Sequence, residues 1–333
     1  MRILDLRSSN LIGSHVIPRR YLAQFADSEG RIWVYEKDRK PRKGTPKGEG
    51  VENGYFGYRH RDGKLDETLE SILAQVEDEA GTLIQLFRNP CYVPSPLERR
   101  RMARYIGLMF SRATARREAS DKIYKEYRDL FEKASQEPEW LARYARGYTA
   151  FSGRVLPLGE FAAEMRRVLR KMKDPAEARN MFLLTLVANA EKIADELLAK
   201  AWKVWKTTEK PGLVTSDNPV ITLKPDSAGH LGLGWGFRQR GVVTIFPLSP
   251  DSCLVIGSGG PYSRNMPRAV VDEVNKGLIM SMHRCVYCAD LHEEINQLVR
   301  EVGAQMKYLE NAFVIADWKK TAQKYFDDYT PIT

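Results

Sequence analysis

The sequence predicts an α+β protein in which a mainly helical centre packs on a largely antiparallel sheet. Two observations support this fold class. Residues 66–206 carry apolar side chains at the spacing of amphipathic helices, whereas residues 207–290 contain short β-branched runs separated by Pro, Gly and Asp. Since no internal repeat and no long linker interrupts the chain, we expect a single α+β domain over residues 1–333.

Composition excludes several classes of protein. The 333 residues are 43% hydrophobic and 29% charged, which is ordinary globular material. No apolar run approaches the roughly 20 residues of a membrane span, and the first residues lack the apolar stretch of a signal peptide. Four cysteines do not make a disulfide framework in a chain of this length. We expect a cytoplasmic protein without a membrane partner, and the sequence does not indicate its oligomeric state.

The N-terminal elements follow from turn signals and periodicity. We expect a short helix from about Pro18 to Phe25 and a strand from Arg31 to Tyr35. Four glycines and two prolines between Lys40 and Gly54 predict a mobile loop. The clearest amphipathic helix runs from Asp66 to Phe87, because its apolar side chains recur one helical turn apart.

The centre and the C-terminal part continue with helices and then strands. Helices are predicted over residues 97–119, 122–135, 158–173 and 176–206. The last of these would end on Trp202 and Trp205 as core residues. Strands are predicted over residues 212–215, 220–223, 242–246, 253–256 and 284–289, with a Gly-rich loop at 229–236 and helices at 269–283 and 293–308.

Two carboxylates line one edge of the first long helix. Glu70 and Glu77 are one heptad apart and flank the apolar stripe, so their stems can pack while their heads reach a cleft. The alternative is a pair of boundary glutamates exposed to water.

Arginines dominate the next helix. Arg112 lies seven residues after Tyr105 and three after Met109, beside the buried face of that helix. Its guanidinium needs a carboxylate or a phosphate because it cannot lose its charge. Glu77 and Asp217 are its candidate partners, and the alternative is a structural salt bridge. Seven arginines and no acid lie between residues 99 and 117, in a chain of net charge +9. Such clustering favours nucleic acid, and a solvated helix face explains it equally well. The candidate phosphate contacts are Arg99, Arg100, Arg101, Arg104, Arg116 and Arg117.

Three further polar positions interrupt apolar surroundings. Asp217 and Asn218 end a strand in Thr215-Ser216-Asp217-Asn218-Pro219, where their oxygens suit a hard cation or a tight turn. His15 precedes Val16-Ile17-Pro18 and is a candidate general base, metal ligand or satisfied core histidine. Asn275 shares the apolar face of its helix, so its buried amide needs a partner.

Several common enzyme classes are excluded by missing motifs. The chain has no phosphate-binding loop ending in Gly-Lys-Ser/Thr and no Gly-x-Ser-x-Gly elbow. Cys285 and Cys288 lie in a predicted strand, where residues three apart point to opposite faces, so they do not begin a zinc ribbon. Common nucleoside triphosphatases, Rossmann dehydrogenases and α/β-hydrolases are therefore set aside.

A resemblance joins most of these positions. The opening His15-Val16-Ile17-Pro18-Arg19-Arg20-Tyr21-Leu22-Ala23-Gln24-Phe25 and the central Ser216-Asp217-Asn218-Pro219 resemble a family of uncharacterised microbial and fungal proteins of unknown function. The match extends to Arg31–Tyr35, Glu70 to Glu77, Arg112, Phe246–Pro250 and Asn275. Members often open with two consecutive histidines, whereas Ser14 precedes His15 in this chain. The resemblance implies one shared site and no particular activity.

Three functional hypotheses follow. The first is a metal-assisted phosphodiesterase, a nuclease or toxin-like effector on RNA or DNA. In it Glu70, Glu77 and Asp217 would hold magnesium or manganese, His15 would act as general base, Asn218 would assist, and Arg112 would stabilise charge on the phosphoryl group. The second is a non-catalytic protein that binds nucleic acid or another partner and has a buried polar network. The third is an enzyme acting on a small phosphorylated metabolite in a closed pocket.

Overall fold

The computed structural model describes residues 13–60, 64–225, 231–234, 236–257 and 263–303. Within them the chain forms two compact units, the first from residues 13–114 and 186–303 and the second from residues 115–185. Helices and mostly antiparallel sheets both occur, so the predicted α+β class is confirmed. The single domain over residues 1–333 stays a prediction. No helix among the described residues combines the length and apolar character that crossing a bilayer needs.

The helices of the described residues are numbered in chain order. They are α1 Arg19–Leu22, α2 Thr68–Phe87, α3 Pro96–Ser111, α4 Thr114–Gln136, α5 Pro138–Ser152, α6 Leu158–Met172, α7 Pro175–Leu198, α8 Arg268–Ser281 and α9 Glu293–Val302. A 3-10 turn, Ala23–Phe25, continues α1.

The described strands are also numbered in chain order. They are β1 Gly13–His15, β2 Ile32–Glu36, β3 Arg42–Gly44, β4 Val51–Asn53, β5 Tyr58–Arg59, β6 Leu65–Asp66, β7 Ala201–Lys206, β8 Thr215–Ser216, β9 Ile221–Pro225, β10 Leu231–Leu233, β11 Val243–Ser249, β12 Ser252–Gly257, β13 Ser263–Asn265 and β14 Cys285–Cys288.

Two larger sheets organise the first unit. The six-stranded sheet has the order β10-β9-β11-β12-β7-β13, antiparallel except for the β7–β13 pair. The four-stranded sheet has the order β3-β2-β14-β8. Two short antiparallel pairs, β1–β4 and β5–β6, complete the strands of the described residues. Within the described part of the chain, β1 therefore pairs only with β4 and belongs to neither larger sheet.

Both larger sheets contribute to cores on their two faces. Along β12, Leu254 and Ile256 belong to the first core while Cys253 and Val255 belong to the second, as the alternation of side chains in a strand requires. The first core also takes the buried faces of α2 and α3. The second takes those of α8 and α9. This arrangement fixes α2 and α3, the helices that carry the candidate carboxylates and Arg112, on one face of the sheets.

The second unit has its own smaller core. Leu141 of α5 packs with four residues of α6, and partly buried aromatic side chains of α4 and α5 surround them. The α6 members are Phe161, Ala162, Met165 and Leu169. Helix α5 was not predicted from the sequence, although Pro138 at its first position and Gly153 after its end are ordinary boundary signals.

Several predicted elements are confirmed within a few residues. These are the helices near residues 18–25, 66–87, 158–173 and 269–283, and the strands near residues 31–35, 220–223, 242–246, 253–256 and 284–289. The helix predicted to Tyr308 ends at Val302, and residues 304–308 lie outside the described residues. The predicted Gly-rich loop contains β10. Residues 229, 230 and 235 of that loop are not described.

Two predictions were wrong because pairing partners distant in sequence decided the outcome. The expected loop of residues 40–54 contains β3 and β4, which pair with β2 and β1. The expected helix of residues 176–206 ends at Leu198 and is followed by β7, so Trp202 and Trp205 are strand residues. Trp202 lies in the first core and Trp205 packs against the second. Partners in β12 override the continued apolar pattern.

The helix predicted over residues 97–119 is interrupted at Arg112 and Ala113. Helix α3 ends at Ser111, and α4 begins at Thr114 and extends through the separately predicted helix of residues 122–135. The hydroxyl of Tyr55 donates a hydrogen bond of 3.1 Å to the carbonyl of Arg112. That carbonyl would accept the N–H four residues further on in a continuous helix. A side chain from another segment thus takes the place of a helical bond at the break.

Candidate functional site

Two half-buried carboxylates lie along one edge of α2, as the heptad spacing predicts. The hydroxyl of Ser14 in β1 donates a hydrogen bond to Glu70 Oε1. Glu77 Oε1 accepts a hydrogen bond of 2.5 Å from Arg112 Nη1. Seven helical residues span about 10 Å along the axis, so the two carboxylates meet different partners. No further bond to either carboxylate comes from the described residues.

Arg112 is the most buried charged group of the site. Its side chain is 2% exposed, and its guanidinium lies 4.7 Å from the centre of the Phe56 ring. Besides Glu77, the guanidinium donates to the backbone carbonyl of His15. Of the two carboxylates that sequence offered as partners, Glu77 makes the ion pair and Asp217 does not.

His15 lies at the end of β1, between these contacts and the loop that precedes β4. Its half-buried ring approaches the carbonyl of Lys47, with 3.2 Å between Nε2 and the oxygen. A carbonyl only accepts, so this contact requires the proton on Nε2. The neutral ring would then offer Nδ1 as its acceptor. Any general-base role of His15 therefore falls to Nδ1.

A buried tyrosine adjoins the Glu77–Arg112 pair. Burial raises the pKa of Tyr105 well above its ordinary value, and the negative charge of Glu77 adds to this effect. Both effects favour the neutral hydroxyl, so Tyr105 is a poor candidate for the general base.

Asp217 is engaged in a different contact. Its carboxylate accepts the backbone N–H groups of His283, Arg284 and Cys285 at 2.7, 2.6 and 3.0 Å. Burial raises the pKa of Asp217, and the three amide donors oppose that rise. The carboxylate joins the turn after β8 to the start of β14, which accounts for the acid in this motif without a cation.

Asn218 and Asn275 are both buried and both bind backbone. Asn218 Nδ2 donates a hydrogen bond of 3.0 Å to the carbonyl of Ser281. Its Oδ1 is buried and has no hydrogen-bond partner among the described residues. Asn275 Oδ1 accepts a hydrogen bond of 3.0 Å from the N–H of Val214. Its Nδ2 donates one of 2.9 Å to the carbonyl of Gly212. The partner that the Asn275 amide needs is thus supplied by the chain itself.

The arginines at the start of α3 have partners within the first unit. The guanidinium of Arg99 lies 5.3 Å from the Trp202 ring centre and donates 3.2 Å to the Lys200 carbonyl. The other α3 arginines pair with acids: Arg100 with Asp195 and Glu191, Arg101 with Glu79, and Arg104 with Glu191 at 2.5 Å. These pairs leave less free positive charge on α3 than its sequence indicates.

Arg116 and Arg117 lie in α4, in the second unit. Both are half-buried, and each makes interactions of its own. Burial lowers the pKa of Arg116 to about 9. A guanidinium that is half-buried and already engaged within the protein is a poor contact for a polymer passing along the surface.

The predicted three-carboxylate metal site is not assembled. In the part of the chain that the structure describes, no three His, Cys, Asp or Glu side chains are grouped in a way that could hold a metal ion. Glu70 and Glu77 are separated along α2, and Asp217 is bound to backbone amides. Four predicted residues do come together, namely His15, Glu70, Glu77 and Arg112, with His15 joined through its backbone carbonyl and its neighbour Ser14.

Sequence reasoning missed the residues that complete this cluster. Ser14 binds Glu70, Tyr55 binds the Arg112 carbonyl, and Phe56 covers the guanidinium. Ser14 was visible only as the neighbour of His15. Tyr55-Phe56 carried a weak signal, because two adjacent aromatics after a Gly-rich segment indicate an anchored turn.

Comparison with known proteins places the chain in a family. A family model described as "Protein of unknown function (DUF4238)" matches residues 14–290, which is most of the chain. No curated protein and no solved structure matches it. The matched range runs from Ser14 to beyond β14 and includes every residue of the cluster around Arg112. The chain therefore belongs to the DUF4238 family of proteins of unknown function.

Proposed function

We propose that this protein is a metal-assisted phosphodiesterase acting on nucleic acid, with its centre at His15, Glu70, Glu77 and Arg112. The observation that supports this proposal is the meeting of three segments that are distant in sequence. Glu70 bonds to Ser14, and Arg112 bonds both to Glu77 and to the His15 carbonyl. A general-base candidate, two carboxylates and a guanidinium thus share one region.

The two glutamates would supply the cation ligands in this proposal. Each uses Oε1 in its bond to the protein, which leaves Oε2 for a ligand. Magnesium and manganese are commonly held by one or two carboxylates, water and substrate phosphate oxygens, so a preformed group of three protein ligands is not required. Since Glu70 and Glu77 are two turns apart, each would hold a separate ion.

Arg112 would act as a positioning residue. It is buried and bound to Glu77 and to the His15 carbonyl, so it fixes both potential participants and has little surface left for a phosphate. His15 would take a proton from the attacking water through Nδ1. Asp217 and Asn218 would contribute through the fold, by fixing the turn that precedes β9.

A partner-binding protein without chemistry is the second candidate. It is favoured because the polar groups already have partners within the protein. Three backbone N–H groups bind the Asp217 carboxylate, and backbone groups bind the oxygen and the nitrogen of the Asn275 amide. Acidic side chains pair with three of the α3 arginines. A structural network of this kind needs no substrate.

Cleavage of labelled single-stranded RNA and DNA, with magnesium, manganese or a chelator, separates the two candidates. Glu70→Gln keeps an acceptor for Ser14 and removes the charge that a cation needs. We expect it to lower metal-dependent cleavage by about 100-fold or more while the melting temperature changes little. Arg100→Gln is the matched surface control and should retain full cleavage.

Asp217→Asn provides the stability control for the same assay. It should lower the melting temperature, because an amide group cannot accept three N–H donors as a carboxylate does. Residual folded protein should still cleave. If wild-type protein does not cleave either polymer under any of the metal conditions, the enzymatic proposal is rejected in favour of partner binding.

A further inference from the structure

The turn that joins β2 and β3, together with β3 and the loop after it, carries a cluster of basic residues, most of them exposed. Residues 37–47, named here the basic hairpin, contain six basic residues and one acid, Asp38. Strand β3 pairs with β2 through the register Val34↔Arg42 and Ile32↔Gly44. Residues 42–44 of the segment are therefore held by the sheet, and the other residues flank them.

Three of the six basic residues are neutralised by acids of the fold. Arg42 pairs with Glu49 and Glu36, whose side chains are only 11% and 12% exposed, so this acidic charge lies under the hairpin. Arg39 also pairs with Glu36, and Lys43 lies 3.7 Å from Asp27.

The other three, Lys37, Lys40 and Lys47, form no ion pair with any described residue. Lys40 and Lys47 are exposed and Lys37 is half-buried. Their ammonium groups are free to meet an anion from solution.

A fourth free cation lies at the same end of the four-stranded sheet. β2 ends at Glu36, which pairs with Cys285 at the start of β14. Lys37 follows Glu36 and Arg284 precedes Cys285, so both lie just beyond the same end of the sheet. Arg284 is exposed, and its guanidinium has no ion pair among the described residues.

The far end of the basic hairpin touches the cluster around Arg112. The Lys47 carbonyl accepts from His15 Nε2 at 3.2 Å, and the N–H of Val16 donates 2.7 Å to the carbonyl of Gly50. An anionic chain bound to Lys37, Lys40 and Lys47 would therefore end close to His15.

The spacing of the lysines favours a polymeric ligand. Extended backbone advances about 3.3 Å per residue, so Lys40 and the turn that carries Lys47 are separated by roughly 15 Å. A single phosphate cannot bridge that distance, whereas a chain of phosphates can contact each ammonium group in turn.

We propose that the basic hairpin and Arg284 form the track on which a nucleic-acid strand docks, with its backbone leading to His15. This inference rests on the proposed function and names the surface that would present the substrate. The track replaces the α3 arginines in that role, because three of those pair with acids and Arg99 binds the Lys200 carbonyl.

Binding of a labelled single-stranded RNA 20-mer, measured by fluorescence anisotropy in chelator over a range of salt concentrations, tests the track. The triple variant Lys37→Gln, Lys40→Gln, Lys47→Gln should bind at least tenfold more weakly than the wild type. Its plot of log affinity against log salt should flatten by about 2, since each phosphate contact contributes roughly 0.7 for single strands. The matched control Arg100→Gln, Arg101→Gln, Arg104→Gln removes the same charge and should bind within about twofold of the wild type.

Equal losses in the two triple variants, or a larger loss in the α3 control, would overturn the track. So would binding of the wild type to phosphatidylserine vesicles but not to RNA. Cleavage measured on the same proteins separates the two proposals. Cleavage that the hairpin variant leaves unchanged rejects the track and keeps the enzyme, whereas hairpin-dependent binding without any cleavage keeps the track and rejects the enzyme.

Discussion

Burying the Arg112 guanidinium carries a large free-energy cost, which its contacts in the site must offset. A guanidinium keeps its charge at every relevant pH, and at 2% exposure it has lost nearly all of its water. Glu77, the His15 carbonyl and the Phe56 ring replace that hydration. Its Nε is buried with no partner among the described residues. The balance therefore depends on the single acid, Glu77.

Replacing Glu77 should destabilise the protein strongly. Glu77→Gln keeps the shape and removes the countercharge, which leaves a buried cation uncompensated and costs roughly 3 kcal/mol or more. The measurement is the free energy of unfolding from urea titration. The double variant Glu77→Leu, Arg112→Met removes both charges and should recover most of the loss. A cost below about 1 kcal/mol for Glu77→Gln would show that the pair is solvated in solution.

The sequence predicted the members of this cluster better than their partners. His15, Glu70, Glu77 and Arg112 were nominated because each is polar on an apolar pattern, and that reasoning needs only local periodicity. The choice between Glu77 and Asp217 as partner of Arg112 depends on contacts across 35 and 105 residues, which periodicity does not encode. Tyr55 and Phe56 were missed for the same reason, since they act through a turn.

At the scale of elements, the two ends of α3 differ in how they are specified. Its start is determined by neighbouring residues. The Ser95 hydroxyl accepts a hydrogen bond from the N–H of Glu98, the Glu98 carboxylate accepts one from the N–H of Ser95, and Pro96 follows the cap. Its end at Ser111 depends on the Tyr55 hydroxyl from another segment. Sequence patterns therefore predicted the start within a residue and extended the helix too far at its end. β7 was misread for a similar reason, because β12 determines its conformation.

The capping box of α3 gives a prediction of pH dependence. Hydrogen bonds from Ser95 and Tyr92 lower the pKa of Glu98 to about 2, against roughly 4.3 in an unfolded chain. A lowered folded pKa means that the stabilisation is complete above about pH 5 and is lost as the pH falls from about 4.3 towards 2. Glu98→Gln should therefore flatten the dependence of the urea midpoint on pH within that window.

Ser95→Ala is the control for the capping prediction. It removes the hydroxyl that bonds to the Glu98 carboxylate and keeps the bonds from Tyr92 and the Ser95 N–H, so it should remove part of the pH dependence that Glu98→Gln removes. Other acids with lowered pKa, Asp27 and Asp66 among them, titrate in the same window and remain in both variants. The difference from the wild type isolates Glu98. Parallel curves for the wild type and Glu98→Gln would refute the role of the box.

At the scale of the whole molecule, the first unit depends on how its two larger sheets are joined. Both sheets place side chains in both cores, and a polar group can also link one sheet to the other. Tyr21 is one such group. Its ring stacks on Phe246 of β11 with 5.1 Å between centroids, and it is fully buried. Its hydroxyl contacts Thr215 Oγ1 of β8 at 2.8 Å and donates 3.0 Å to the carbonyl of Pro247.

The Tyr21 hydroxyl thus links the four-stranded sheet, through Thr215, to the six-stranded sheet, through Pro247. Tyr21→Phe keeps the ring and leaves the Thr215 hydroxyl and the Pro247 carbonyl without this partner, at a cost of about 1–3 kcal/mol. Thr215→Val should also destabilise, and the double variant should fall short of the sum of the two single losses by at least about 0.5 kcal/mol.

Thr244→Val in the same six-stranded sheet is the matched control for that double-mutant cycle. Thr244 is fully buried, and its hydroxyl has no hydrogen-bond partner among the described residues, so a methyl group in its place should leave stability unchanged or raise it. Unfolding followed by both tryptophan fluorescence and circular dichroism checks that each variant still unfolds in one transition. Strict additivity of Tyr21→Phe and Thr215→Val would mean that the hydroxyl does not couple the sheets, and their joining would then rest on the shared apolar cores alone.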